Sequence, residues 1–177
     1  HINDKDGLLL LGDVYLEWAT EKDPAKFENA FAQYTDLINL FGNNDEYTKR
    51  LMRYYIRTDN LREVLPIKAY FYGLKKNVLG SSDLTELSGY LLDKLYGYLS
   101  PSDEYLRTQI ENVRQLLEMA IEADSTVPEA HYNLARYFIH TGNESNAQLL
   151  LNSAITNFEN SKTRRPKRIQ KNIDCYR

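Results

Sequence analysis

With 42% hydrophobic and 27% charged residues in a chain of 177, the composition is that of a folded domain or short repeat array, and it excludes wholesale disorder. Its 8 Gly and 5 Pro are too few for a sandwich or barrel of many short strands. The single cysteine, Cys175, rules out an internal disulfide and a cysteine-built zinc site, and the net charge of −3 divides into +6 over residues 161–177 and −9 over the rest.

The pattern reads as helices in pairs. The first helix runs from about Asp6 to Thr20, with Leu8, Leu11, Val14, Tyr15 and Trp18 at helical spacing. Asp23-Pro24 starts the second, with Asp23 as N-cap and Pro24 at the first helical position. It carries Phe27, Ala30, Phe31, Tyr34, Leu37, Ile38 and Phe41, and stops at Gly42-Asn43. The third begins near Asp45 and ends at Thr58-Asp59-Asn60. The fourth follows from Leu61, with Pro66 in its first turns, where a missing N–H is best tolerated. Gly80-Ser81-Ser82-Asp83 reads as the next break. A fifth helix then covers about Leu84 to Leu99, and a sixth about Ser102 to Ala123, capped by Ser102 or Asp103.

The seventh helix spans Pro128 to His140 and closes at Thr141-Gly142-Asn143, where Gly142 can adopt the left-handed conformation. The eighth runs from Glu144 to Glu159. A loop follows through Arg165, and Pro166 opens a ninth helix with Ile169, Ile173 and Tyr176 on one face. That helix has no following partner in the sequence, which suggests a fragment of a longer array.

Leu134, Ala135, Phe138, Gly142, Ala147, Leu151 and Ala154 succeed one another at intervals of 1, 3, 4, 5, 4 and 3. These residues resemble the tetratricopeptide repeat, a helix–turn–helix unit of about 34 residues. The pattern departs at His131, where an aromatic is usual, and at Glu159, where a proline is usual. A second copy lies on Leu51, Met52, Tyr55, Asp59, Val64, Lys68 and Phe71, with Asp59 in place of the turn glycine. A third matches Leu11, Gly12 and Tyr15, then Ala30 and Tyr34, across a joint about six residues longer. Leu117 and Ala120 match the second half of a further copy whose first helix fits poorly.

The resemblance implies an all-α, right-handed solenoid of about four repeats, near 6–42, 45–79, 84–124 and 128–159, plus a half repeat at 166–177. Such arrays share a core between neighbours and bind proteins rather than transform substrates. Leu10-Leu11-Gly12-Asp13, the run from Tyr54 to Leu61, and Glu129-Ala130-His131-Tyr132-Asn133-Leu134-Ala135 are also similar to spirochaetal repeat proteins of the periplasmic flagellar collar. That likeness implies a scaffold at the flagellar motor and a periplasmic location. Without it a cytoplasmic location is expected.

The chemistry of catalysis is sparse. His131 and His140 are nine residues apart, on largely opposite sides of one helix, and cannot share a metal. His131 reads as a joint residue and His140 as a partner of the helix dipole. Cys175 lies among basic residues but far in sequence from any histidine, and reads as a buried thiol. No phosphate-binding glycine loop occurs, and Asn143-Glu144-Ser145 reads as a turn and helix start. The expectation is therefore no enzyme and no cofactor. No run of 18 apolar residues is present, so no membrane span is expected. The basic tail could meet nucleic acid, but a solvated helix face is the simpler reading and no nucleic acid is expected.

In this repeat class the first helix of each pair lines a concave groove. The corresponding positions here are Leu9, Asp13, Leu16 and Glu17; Lys49, Arg53, Ile56 and Arg57; and Tyr132, Arg136, Ile139 and His140. The partner-binding candidates are thus Asp13, Glu17, Lys49, Arg53, Arg57, Tyr132, Arg136 and His140, facing a protein or peptide with acidic residues. Further repeats or subunits of a larger assembly are the other expected partners. The alternative function is a helical binding protein for a small apolar ligand held among the Tyr and Leu side chains.

Overall fold

A computed structural model of the chain describes residues 4–73, 79–97 and 104–164. The described residues form eight helices and no strand: α1 (Lys5–Glu21), α2 (Lys26–Phe41), α3 (Asp45–Arg57), α4 (Leu61–Gly73), α5 (Ser81–Gly97), α6 (Glu104–Ala123), α7 (Pro128–His140) and α8 (Glu144–Arg164). They fall into two compact units, His1–Leu79 and Gly80–Arg177. In the first unit α1 packs on α2, α2 on α3 and α3 on α4, and α1 also touches α3. In the second, α5 packs on α6, α6 on α7 and α7 on α8, and α5 also touches α7. Contact between alternate helices is what stacked helical hairpins produce, each hairpin covering an apolar face that its neighbour leaves open.

The helix ends follow from local chemistry. The Asp4 carboxylate accepts from the Asp6 N–H at 3.2 Å and Asn44 Oδ1 accepts from the Tyr47 N–H at 3.0 Å, each satisfying an N-terminal amide. Asn143 Oδ1 accepts from the Asn146 N–H at 3.3 Å, so Asn143-Glu144-Ser145 is the helix start that its sequence suggested. Gly42 and Gly142 have φ of 78° and 76°, and Asp59 has 58°. Asp59 therefore adopts the left-handed turn in the place where the repeat carries glycine; Asp is among the few residues that tolerate it.

Three boundaries differ from expectation. Asp23-Pro24 forms a turn ahead of α2, with the Asp23 carboxylate accepting from the Ala25 N–H, and the helix begins at Lys26. Gly80-Ser81-Ser82-Asp83 is not a break throughout: α5 begins at Ser81, whose hydroxyl donates to the Ala120 carbonyl of α6 at 2.7 Å. That bond gives a polar residue a reason to sit buried inside a helix start. The eighth helix continues past Glu159 to Arg164, because no glycine or proline intervenes to stop it. The ninth helix, the half repeat at 166–177 and Cys175 lie outside the described residues.

The seams are built as the repeat spacing requires. Leu8, Gly12, Ala30, Tyr34 and Leu37 are buried between α1 and α2. Met52 and Val64 are buried in the second pair, and Leu134, Ala135, Ala147 and Ala154 in the last. The third pair, expected to fit poorly, follows the same order: Leu84, Leu87, Ser88 and Leu91 on α5 face inward, as do Val113, Leu117 and Ala120 on α6. Each of these large apolar side chains contributes roughly 1.5–3 kcal/mol when fully buried.

Candidate functional site

The first helices α1, α3 and α7 present the candidate residues, and each unit is best taken separately. On α1, Glu17 is exposed and Asp13 is half-buried. Asp13 is engaged within the unit: its carboxylate accepts the Tyr34 hydroxyl of α2 at 2.8 Å and pairs with Arg50 of α3 at 3.3 Å. Burial, together with this hydrogen bond and the negative charge of Asp13, pushes the Tyr34 hydroxyl well above its ordinary pKa. Three helices are thus tied at one polar point. Leu16, expected to face a groove, is buried in the cluster of Leu8, Ala30, Tyr34, Leu37 and Tyr47. Its helical position places it one step too far round, toward α2.

On α3, Lys49, Arg53 and Arg57 recur every fourth residue and so share one face. Lys49 pairs with Glu46 at 2.7 Å, Arg50 pairs with Glu46 as well, and these cations hold the Glu46 carboxyl below its usual range against the opposing effect of burial. Arg53 and Ile56 are half-buried and Arg57 is exposed. Beside this face, Phe31, Tyr54 and Tyr55 form an aromatic cluster, with the Tyr54 ring 5.2 Å from Phe31 and 5.3 Å from Tyr55. The first unit therefore offers a cationic row next to aromatic surface.

In the second unit, α7 carries Tyr132 and Ile139 with 51% and 54% of their surface open. Arg136 lies between them. Its guanidinium pairs with Asp93 of α5, donates to Asn133 Oδ1 at 3.3 Å, and sits 5.9 Å from the Tyr132 ring centroid. His140 stacks on Tyr96 of α5, centroids 3.9 Å apart. Tyr96 has its hydroxyl buried without a hydrogen-bond partner, and burial, with a contribution from Tyr137, pushes its pKa up to about 12. Arg136 and His140 are thus held in place by α5.

His131, on the inner side of α7, is buried, and its Nε2 lies 2.8 Å from the Ser125 carbonyl. It fills the joint position its sequence context suggested. Among the described residues no group of three or more His, Cys, Asp and Glu side chains is placed to hold a metal ion, and no helix is long and apolar enough to cross a membrane. Sequence spacing missed the exchange of Arg136 with Asp93 and the stacking of His140 on Tyr96, because the poor match of the fifth helix gave no register for α5.

No protein-family model and no curated protein matches the chain. Among solved structures, MamA MSR-1 C2, a tetratricopeptide-type protein, matches with a TM-score of 0.61 at 14% identity, over 89% of this chain and 79% of that one. At that identity the likeness concerns the fold: this chain has the all-α, helical-repeat architecture of tetratricopeptide-like proteins.

Proposed function

We propose that the chain is a non-catalytic scaffold module whose first-helix faces bind a protein segment rich in acidic residues. The observation that carries this reading is the row of Lys49, Arg53 and Arg57 on one face of α3, flanked by the aromatic cluster of Phe31, Tyr54 and Tyr55. A cationic row steers and orients an acidic segment, and adjacent aromatic rings supply the desolvated contact that fixes it. The face of Tyr132, Arg136, Ile139 and His140 on α7 has the same mixture of cationic, aromatic and apolar groups. The helical-repeat fold supports the reading, since stacked hairpins expose long side-chain rows and few enclosed cavities.

The experiment is titration of labelled, extended peptides that alternate Glu or Asp with Leu, against the parent and the R53E/R57E variant. About a tenfold loss of affinity is expected on charge reversal, with weaker binding at high salt. Equal affinity in both proteins removes α3 from the binding surface. The likeness of Tyr54–Leu61 and Glu129–Ala135 to flagellar collar repeat proteins supports placing this scaffold at a flagellar motor in the periplasm. Co-purification with motor components from a spirochaete tests that placement, and its failure leaves the peptide result to stand by itself. One observation favours the alternative of a small apolar ligand: a largely apolar cleft of about 340 Å³ lined by Pro128, Tyr132, Ala154, Ile155 and Phe158, with Glu129 and Glu159 also lining it.

A further inference from the structure

Within each unit, the first helix of the later pair meets the earlier pair through one recurring set of residues. In α3 the set is Tyr47, Arg50, Leu51 and Tyr54. Tyr47 is buried in the cluster that holds Tyr34 and Leu37 of α2, and Arg50 reaches Asp13 of α1. Tyr54 packs on Phe27 and Phe31 of α2, with centroids 6.2 Å and 5.2 Å away. In α7 the set is Ala130, Asn133, Leu134 and Tyr137, all buried. Asn133 lies against Gly89 of α5, and the Tyr137 hydroxyl donates to Glu111 of α6 at 3.0 Å. Both sets have one spacing: an apolar or aromatic residue, a polar residue three later, an aliphatic residue next to it, and a tyrosine three beyond.

The same spacing occurs at Ile169, Asn172, Ile173 and Tyr176, which follow α8 in the chain and lie outside the described residues. On a helix these four residues share one face. A surface that fits them is present on the last pair. Within the described residues Ile155 and Phe158 of α8 are 61% and 48% exposed, and they line the cleft with Pro128 and Tyr132 of α7. Ile155 follows the seam residue Ala154 as Ile38 follows Leu37, and Ile38 packs in the cluster that holds Tyr47. The cleft thus stands where α2 receives the first residue of the α3 set. The reach is sufficient. Phe158 is about 9 Å of helix from Arg164, where α8 ends, and residues 165–168 span up to about 13 Å. The charges also match: Glu129 and Glu159 stand at the cleft, and Arg165 and Arg168 precede Ile169.

We propose that residues 169–176 form a further first helix seated on α7 and α8, with Ile169 in the cleft of Pro128, Tyr132, Ile155 and Phe158. Tyr176 then lies toward the N-terminal half of α8, as Tyr137 meets Glu111 in that half of α6. Arg165 and Arg168 come to the acidic rim and orient the segment, while the apolar contact holds it. Covalent linkage to α8 favours this occupant, because its effective concentration exceeds that of a free ligand. The cleft is then a joint within the chain, which takes it away from the small-ligand reading. The proposal goes beyond the cationic row on α3 and stands whether or not that row binds an acidic segment.

Amide hydrogen exchange of the whole chain tests this, with the free peptide of residues 165–177 as reference. Exchange over 169–176 is expected to be at least about tenfold slower in the parent than in the peptide. In I155E/F158E it is expected to return to the peptide's rate while protection in α5, α6 and α7 stays unchanged, which also establishes that the variant folds. Conversely, I169E/I173E is expected to move the amide chemical shifts of Glu129, Tyr132, Ile155 and Phe158. Exchange at the peptide's rate in the parent overturns the proposal. So does slow exchange that survives in I155E/F158E, which puts the segment on another surface, and so do cleft amides that do not move in I169E/I173E.

Discussion

A Cβ built on Gly12 falls 2.6 Å from the Tyr34 ring, closer than real contacts allow, and that ring is fully buried with its hydroxyl held by Asp13. Neither partner has room to yield, so Gly12→Ala is expected to destabilise the first unit by about 1–3 kcal/mol in denaturant melts. The sequence marked Gly12 and Tyr34 as seam residues by spacing, but it could not reveal the hydrogen bond to Asp13, which joins residues 21 apart. For that reason Asp13 read as a groove charge, whereas its carboxylate ties three helices together. Lys68 has the same lesson in reverse. It stands where other pairs carry Tyr34, Leu117 or Leu151, it is buried, and burial lowers its pKa.

Glu111 gives the residue scale a pH signature. Its hydrogen bond from Arg114 holds the carboxyl below its usual range, opposed by burial and aided by the Tyr137 hydroxyl. A carboxylate with a depressed folded-state pKa stabilises the fold above its ordinary value, and that contribution disappears as pH falls through the depressed one. The second unit is therefore expected to lose stability below about pH 4.5. Glu111→Gln should flatten that acid limb, as read by comparing urea midpoints at neutral and acid pH. An unchanged acid slope would dissociate Glu111 from the effect.

At the scale of elements, what the sequence revealed depended on how closely the seam residues keep the repeat intervals. The last pair has a short turn through Gly142, and its interval pattern placed α7 and its seam residues directly. The seam residues of α5 and α6 do not keep those intervals, so Leu84, Leu87, Ser88 and Leu91 went unrecognised although they are as buried as their counterparts. The start of α5 was likewise misread, because Ser81 looks like a loop residue until its bond to Ala120 across the hairpin is known. The register itself can be tested at Ala147, which is buried against α7. Ala147→Leu is expected to overpack that joint and lower stability by roughly 1–3 kcal/mol. A melting temperature equal to the parent's would contradict the register.

At the scale of the whole molecule, the all-α repeat class was legible because helical periodicity and small seam residues are local signals. Partner choice was not, because it depends on which side chains folding brings together from different helices. Arg50 and Asp13 neutralise each other inside the first unit, and Arg136 is held by Asp93 in the second. The row of Lys49, Arg53 and Arg57 could be read from the sequence as a spacing of four, but its aromatic flank could not: Phe31 comes from α2 and meets Tyr54 and Tyr55 only after folding. The proposed binding of acidic segments rests on that combination.

Amide chemical-shift mapping of the labelled chain, titrated with the tightest acidic peptide, tests this most directly. The account predicts that the largest shifts fall on residues 49–57 of α3 and that R53E/R57E abolishes them. Shifts confined to α2, α4, α6 and α8, or a pattern unchanged in that variant, would contradict it.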